Sequence, residues 1–139
     1  MDPSKLSLMA KIKVLISNQT FVLLLFASFF RFWAGYSLGL LSAHFFENRW
    51  PSEISNISIT QAITIIGGGL PASIAGGYIS DRFESTIPHI RGLISGLGAL
   101  IAVPFIFITF IIQPDFWVSI VSYFIAYFAA EMWFAPARA

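Results

Sequence analysis

Polar residues in this chain are gathered into short islands that separate four long apolar runs, at residues 21–46, 59–79, 92–112 and 116–136. Each run is close to the ~20 residues that a helix needs to cross a hydrocarbon layer about 30 Å thick. The pattern predicts an all-α integral membrane fold of four transmembrane helices. Residues 1–20 read as a cytoplasmic N-terminal segment and residues 21–139 as the four-helix membrane region. Polar islands at 47–58 and 80–91, and a tight Gln113, Pro114, Asp115 turn, supply the connections. Pro51 and Pro114 stand where a helix should stop, since proline lacks the N–H that continues the helical bond ladder. The first run is too long, starts too far from the N-terminus and contains Arg31, so it does not read as a cleaved signal peptide.

Composition points the same way. Of 139 residues 57% are hydrophobic and 11% charged, whereas about a quarter of a soluble domain is charged. Eight basic and seven acidic side chains beside fifteen Phe cannot clothe a soluble surface. A net charge of +1 with dispersed basic residues argues against a nucleic-acid partner. With no cysteine, disulfides, thiolate metal sites and cysteine nucleophiles drop out together. His44 and His89 are isolated, near opposite faces of the four-span arrangement, and no serine shares a depth with a histidine and an acid. An enzyme is therefore not expected, nor a cofactor or metal.

Short loops of membrane proteins carry their Lys and Arg on the cytoplasmic side. Lys5, Lys11, Lys13, Arg82, Arg91 and Arg138 fall on one side of the four-span arrangement and Arg49 on the other. Both termini are thus expected in the cytoplasm. Trp50, Trp117 and Trp133 lie near helix ends, as interfacial indoles do. Asn56, Ile57, Ser58 forms a glycosylation sequon on the opposite side, but such triplets are common by chance and this one adjoins the bilayer.

In lipid, helices associate through close backbone approach at small residues. The second run carries two such rows, Gly68, Ala72, Gly76, Ser80 and Gly69, Ser73, Gly77. The third carries Gly92 with Gly96 and Ser95 with Ala99, and the fourth Ser122, Ala126 and Ala130. Gly67 to Gly69 followed by Pro71 weakens the second run at its centre, and Pro104 does so in the third. Either break reads as a static kink or as a bend that changes between two states.

Two ionisable residues lie inside the runs. Arg31 sits about 16 Å along the first, at 1.5 Å per residue, where facing lipid costs ~2.5–3.5 kcal/mol on lenient scales. Ser28, Gly35 and Ser42 share its face, a stripe suited to a protein neighbour or a watered cavity. Snorkelling to the interface is the plainer alternative. Glu131 lies in the last third of the fourth run with Tyr127 one turn before it. It is the candidate for binding and releasing a proton, against the plainer role of a carboxylate near the headgroups. An Arg31–Glu131 pair is conceivable, because their estimated depths differ by less than about two turns.

Between the second and third runs the chain reads Gly76, Gly77, Tyr78, Ile79, Ser80, Asp81, Arg82, Phe83, Glu84. This resembles the cytoplasmic loop signature of the major facilitator superfamily, a Gly followed four residues later by Asp and then a basic residue, matched by Gly77, Asp81 and Arg82. Glu84 stands where the family usually has a second Gly, and Arg91 replaces an adjacent basic pair. Both departures fit the weaker copy in the second half of such transporters. Glu131, Met132, Trp133, Phe134, Ala135, Pro136 is similar to the tenth helix of Spinster-like members.

The resemblance implies helices seven to ten of a twelve-helix transporter, a partial major facilitator fold that moves a small or lipid-like solute by alternating access. It implies that the first and fourth runs line the central cavity. Arg31 would there hold an anionic group or counter-charge, Glu131 with Tyr127 would couple a proton, and Gly77, Asp81 and Arg82 would form a state-dependent latch. The partners would be the lipid bilayer, the solute, and the remaining transporter helices from the same parent chain or a second polypeptide. The rival from another class is a four-helix membrane scaffold without transport activity. A small dimerising exporter ranks last, since such proteins place an acid in the first span where this chain has Arg31.

Overall fold

Proline and asparagine punctuate the helices of this chain, and a computed structural model describes them over residues 7–137. Lys5 and Arg138, counted above as cytoplasmic charges, lie outside the described residues. Among the described residues six α-helices occur in the order α1 (Leu8–Ser17), α2 (Gln19–Arg49), α3 (Ile54–Ile63), α4 (Leu70–Phe83), α5 (Ile90–Phe107) and α6 (Phe116–Glu131). A 3-10 turn, Pro51–Glu53, leads into α3, and a π-helical segment, Thr64–Gly69, joins α3 to α4 without a break. A second π segment, Ile108–Ile112, extends α5. No strand occurs among the described residues.

Among the described residues three continuous helices are long and apolar enough to cross a membrane: Gln19–Arg49 with 31 residues, Pro51–Phe83 with 33 and Ile90–Ile112 with 23. The fourth apolar run forms a helix of 16 residues and then a series of turns over 132–137. Pro136 accounts for the early stop. It has no N–H to offer the Met132 carbonyl four residues back, and its ring would clash with that carbonyl in a continued helix.

The chain divides into two units, Met1–Phe45 and Phe46–Ala139. In the first, the segment that the polarity pattern left without a helix contains α1. Ser7 caps its start by accepting from the Ala10 N–H, and Asn18 leaves it with an extended backbone, φ −85° and ψ 107°. The Asn18 side-chain oxygen then accepts from the N–H groups of Thr20 and Phe21, capping α2. One residue thus ends one helix and starts the next.

In the second unit α6 packs against α5, α4 and the first π segment. Along 51–83 the buried residues are Ile57, Gln61, Thr64, Gly68, Ala72, Gly76 and Ser80, recurring every three or four positions on one face. The first small-residue row of the sequence is therefore the one turned inward. A Cβ on Gly76 would overlap the Met132 carbonyl oxygen and lie 2.8 Å from the carbonyl carbon. On Gly98 it would overlap the Ala129 oxygen. The third run departs from expectation here: Ile90, Ile94, Gly98 and Ala102 are buried, while Gly92 and Gly96 have no neighbour within 4 Å of a would-be Cβ. Gly98, which belongs to neither of the small-residue rows read from the sequence of this run, is the glycine that meets the α6 backbone.

Both π segments contain a buried threonine that bonds back along its own helix. Thr64 Oγ1 donates to the Thr60 carbonyl at 2.8 Å, and Thr109 Oγ1 donates to that of Phe105 at 2.8 Å. Such back-bonding bends helices and sits naturally where the regular ladder is interrupted. Beyond the second π segment Gln113 takes the left-handed conformation, φ 50°. Its side-chain amide donates to the Phe110 carbonyl at 2.6 Å and its side-chain oxygen accepts from Arg49 Nε at 2.8 Å. Asp115 caps α6 through the Val118 N–H.

Gly76→Ala and Gly98→Ala should each destabilise the second unit by about 1–3 kcal/mol, the usual range for overpacking. Gly92→Ala and Gly96→Ala should be neutral or stabilising by up to about 1 kcal/mol. Unfolding of the purified chain in mixed micelles, titrated with denaturing detergent, separates the two pairs.

Candidate functional site

Tyr127 and Glu131 are four residues apart on α6 and so share one face of it. Both are half-buried. The tyrosine ring lies over the first π segment, where ring carbons sit 3.4 Å and 3.3 Å from where Cβ atoms of Gly68 and Gly69 would be. Two glycines therefore make the floor on which this ring rests, and any side chain there would lift it. The Glu131 carboxylate acts electrostatically on the Tyr127 hydroxyl and closes the helix.

Aromatic rings continue from Tyr127 along α6. Tyr127 and Tyr123 have centroids 6.2 Å apart, Tyr123 meets Phe46 at 5.8 Å and Phe110 at 6.1 Å, and Phe46 stacks on Trp50 at 5.6 Å. Trp50 then meets Phe116 edge to face. Phe46 is 0% and Tyr123 2% exposed, so the middle of this column is dry. Trp50 is half-buried in the column and Trp133 is buried, so of the three tryptophans expected at an interface only Trp117 is exposed.

At the far end of α4, Gly77 faces the turns beyond α6, with its would-be Cβ 3.1 Å from the Ala135 Cβ. Asp81 and Arg82 are exposed in the last turn of α4. The ion pair of this loop joins Glu84 to Arg91 at 2.9 Å. Arg91 stands in the first turn of α5, where a positive charge opposes the helix dipole, and Glu84 offsets it. The two positions that depart from the loop motif, Glu84 and Arg91, are thus the ones that form the loop's salt bridge.

Arg31 lies on α2 in the first unit, half-buried, with Ser28 and Gly35 half-buried and Ser42 buried along the same face. That stripe is the most sheltered line of α2, whose most apolar eighteen-residue stretch contains no buried residue. Tyr127, Glu131, Gly77, Asp81 and Arg82 belong to the second unit. Asn56 is half-buried within α3, and its amide donates to Glu53 of the preceding 3-10 turn at 2.6 Å. Among the described residues no three His, Asp or Glu side chains gather as metal ligands.

Several polar residues of the interior take part in contacts that the sequence did not indicate. Ser80 and Ser119 have buried hydroxyls without a hydrogen-bond partner among the described residues. The Thr109 hydroxyl reaches the Ser119 carbonyl at 3.3 Å, linking the second π segment to α6. The Arg49–Gln113 bond joins residues 64 apart in the chain. Only the tight turn at Gln113 hinted at it. Comparison of the chain with known protein families, characterised proteins and solved structures finds no match.

The Glu84 and Arg91 side chains are 48% and 34% exposed, so a double-mutant cycle with Glu84→Gln and Arg91→Gln should return a coupling of about 0.2–1 kcal/mol. The coupling should shrink as salt is raised, which stability measured across ionic strengths will show.

Proposed function

We propose that this chain is part of a secondary transporter similar to Spinster-like members of the major facilitator superfamily, supplying the equivalents of helices seven to ten. Its cargo is a small or lipid-like solute, moved by alternating access with helices from the same parent chain or a second polypeptide. The observation that carries this reading is the seat of Tyr127 and Glu131. A carboxyl beside a phenol, on the helix that packs over the glycine floor of a π-helical break, joins an ionisable group to a place where the backbone can change register.

In this reading α2, the helix over 51–83, the helix over 90–112 and α6 cross the bilayer with both termini in the cytoplasm. Lys11, Lys13, Arg82 and Arg91 then lie on the cytoplasmic side and Arg49 on the other. Arg31 holds an anionic group or counter-charge within the sheltered stripe of α2. Glu131 carries the coupling proton, with Tyr127 as its polar neighbour. A neutral Glu131 can face a closed, dry interior, whereas a charged one requires water or a cation beside it, so protonation biases the switch between states. Gly77, Asp81 and Arg82 form the latch, with the Glu84–Arg91 pair bracing the same loop.

The scaffold alternative finds support in α5, where Gly92 and Gly96 leave an open small-residue row that a partner helix could occupy. Uptake assays distinguish the two. With the remaining helices supplied, solute uptake into proteoliposomes should rise under a pH gradient, and Glu131→Gln should abolish that rise while leaving folding intact. A persistent pH response in Glu131→Gln removes Glu131 from the mechanism. Uptake no greater than in empty vesicles for the unaltered protein favours the scaffold.

A further inference from the structure

α1 presents an arrangement that neither the transporter nor the scaffold reading uses. At about 100° per residue, Leu15, Leu8, Ile12, Ile16 and Met9 fall in a sector of about 120°. Lys11 and Lys13 fall about 40° beyond its two edges by the same geometry. The opposite side carries Ala10, Ser17 and Val14. Each of the five apolar side chains is exposed, from 43% at Ile12 to 78% at Met9. No acidic residue occurs in the helix.

Both ends of α1 are built. Ser7 caps its N-terminus, and Asn18 caps α2 after an extended backbone step, so α1 is a separate helix and not the first turns of α2. Immediately beyond that step the chain enters α2, a helix of membrane-crossing length. The apolar sector of α1 is therefore continuous in the chain with a segment suited to lipid, while its borders carry the only charges of the helix. Lysines at the edges of an apolar sector can lay their methylene stems along it and lift their ammonium groups to phosphate level. A ten-residue helix is too short to span a bilayer, and basic borders with an apolar face are what an in-plane helix shows.

We infer that α1 is an interfacial helix that lies on an anionic leaflet, with Leu8, Ile12, Leu15 and Ile16 at the acyl boundary and Lys11 and Lys13 on lipid phosphates. The occupant is the anionic lipid surface. This rests on α2 crossing the bilayer, and not on transport.

The chain has no cysteine, so single-cysteine spin labels report without background. Labels at Ile12→Cys, Ile16→Cys, Ala10→Cys, Ser17→Cys and, in α2, Leu25→Cys are compared in the full chain in nanodiscs of phosphatidylcholine, with and without phosphatidylserine. With phosphatidylserine the Ile12 and Ile16 labels should favour oxygen over a water-soluble nickel chelate, at a depth of about 5–10 Å. The Ala10 and Ser17 labels should show the reverse. Omitting phosphatidylserine, or introducing Lys11→Gln with Lys13→Gln, should raise the water-exposed fraction at Ile12 by about fivefold per lysine.

Equal accessibility at Ile12 and Ser17 overturns the inference, as does a depth indifferent to phosphatidylserine and to the lysines. Shielding of the Ile12 and Ile16 labels from both reagents overturns it in favour of a protein neighbour or a second copy. The Leu25 label keeps the two levels apart. If it resides in lipid while Ile12 is aqueous, the α1 inference alone falls. If it is aqueous as well, the membrane-spanning reading of α2 falls with it.

Discussion

The second unit is organised by the contact between the end of α6 and two glycines. The Met132 and Ala129 carbonyl oxygens occupy the space that a Cβ on Gly76 or Gly98 would need, so the backbones meet with no side chain between them. Where lipid replaces water there is little hydrophobic drive between helices, so dispersion at close approach becomes the main source of cohesion. Pro136 is part of the same device. By withholding its N–H it leaves the Met132 carbonyl without a helical donor, and that oxygen turns to Gly76. One imino acid, two glycines and two carbonyls thus fix where α6 ends and how deeply it sits.

That placement determines much of the remaining unit. A deep α6 brings Tyr127 onto the Gly68–Gly69 floor and sets Glu131 at the edge of the same face. It also aligns Tyr123 with Phe46 and Phe110, so that α6 is lined by rings on the way to Trp50 and Phe116. The loop after α4 is held by Glu84 and Arg91, and Gly77 gives the turns after α6 room to pass. On the proposed transporter reading these are a site, a dry wall and a hinge, arranged around a single helix.

Much of the helical layout was legible in the polarity pattern, because runs of twenty apolar residues have few other interpretations. α1 was not legible, since two lysines among ten residues read as a polar island until its own three-and-a-half-residue period is inspected. That Gly98 and not Gly92 or Gly96 would meet the α6 backbone was not legible either. Period shows that a face exists, but Gly92 and Gly98 differ only in which side of the helix the α6 backbone occupies. The short fourth helix was written in Pro136, which the apolar run masked. Tyr127 and Glu131 could be paired from their spacing alone. Their glycine floor required the tertiary fold, as did the Glu84–Arg91 pair.

On the membrane-spanning reading, the Gln113 turn bears on how the chain enters the bilayer. Three residues, one left-handed and clamped to Phe110 and Arg49, leave no slack between α5 and α6. A helix of 16 residues ending in a glutamate falls short of the ~20 that partition into a bilayer unaided. Its neighbour over 90–112, twenty-three residues long with a mean hydropathy of 2.4, has ample surplus. During biosynthesis the two would leave the translocon as one hairpin, the stronger segment carrying the weaker across.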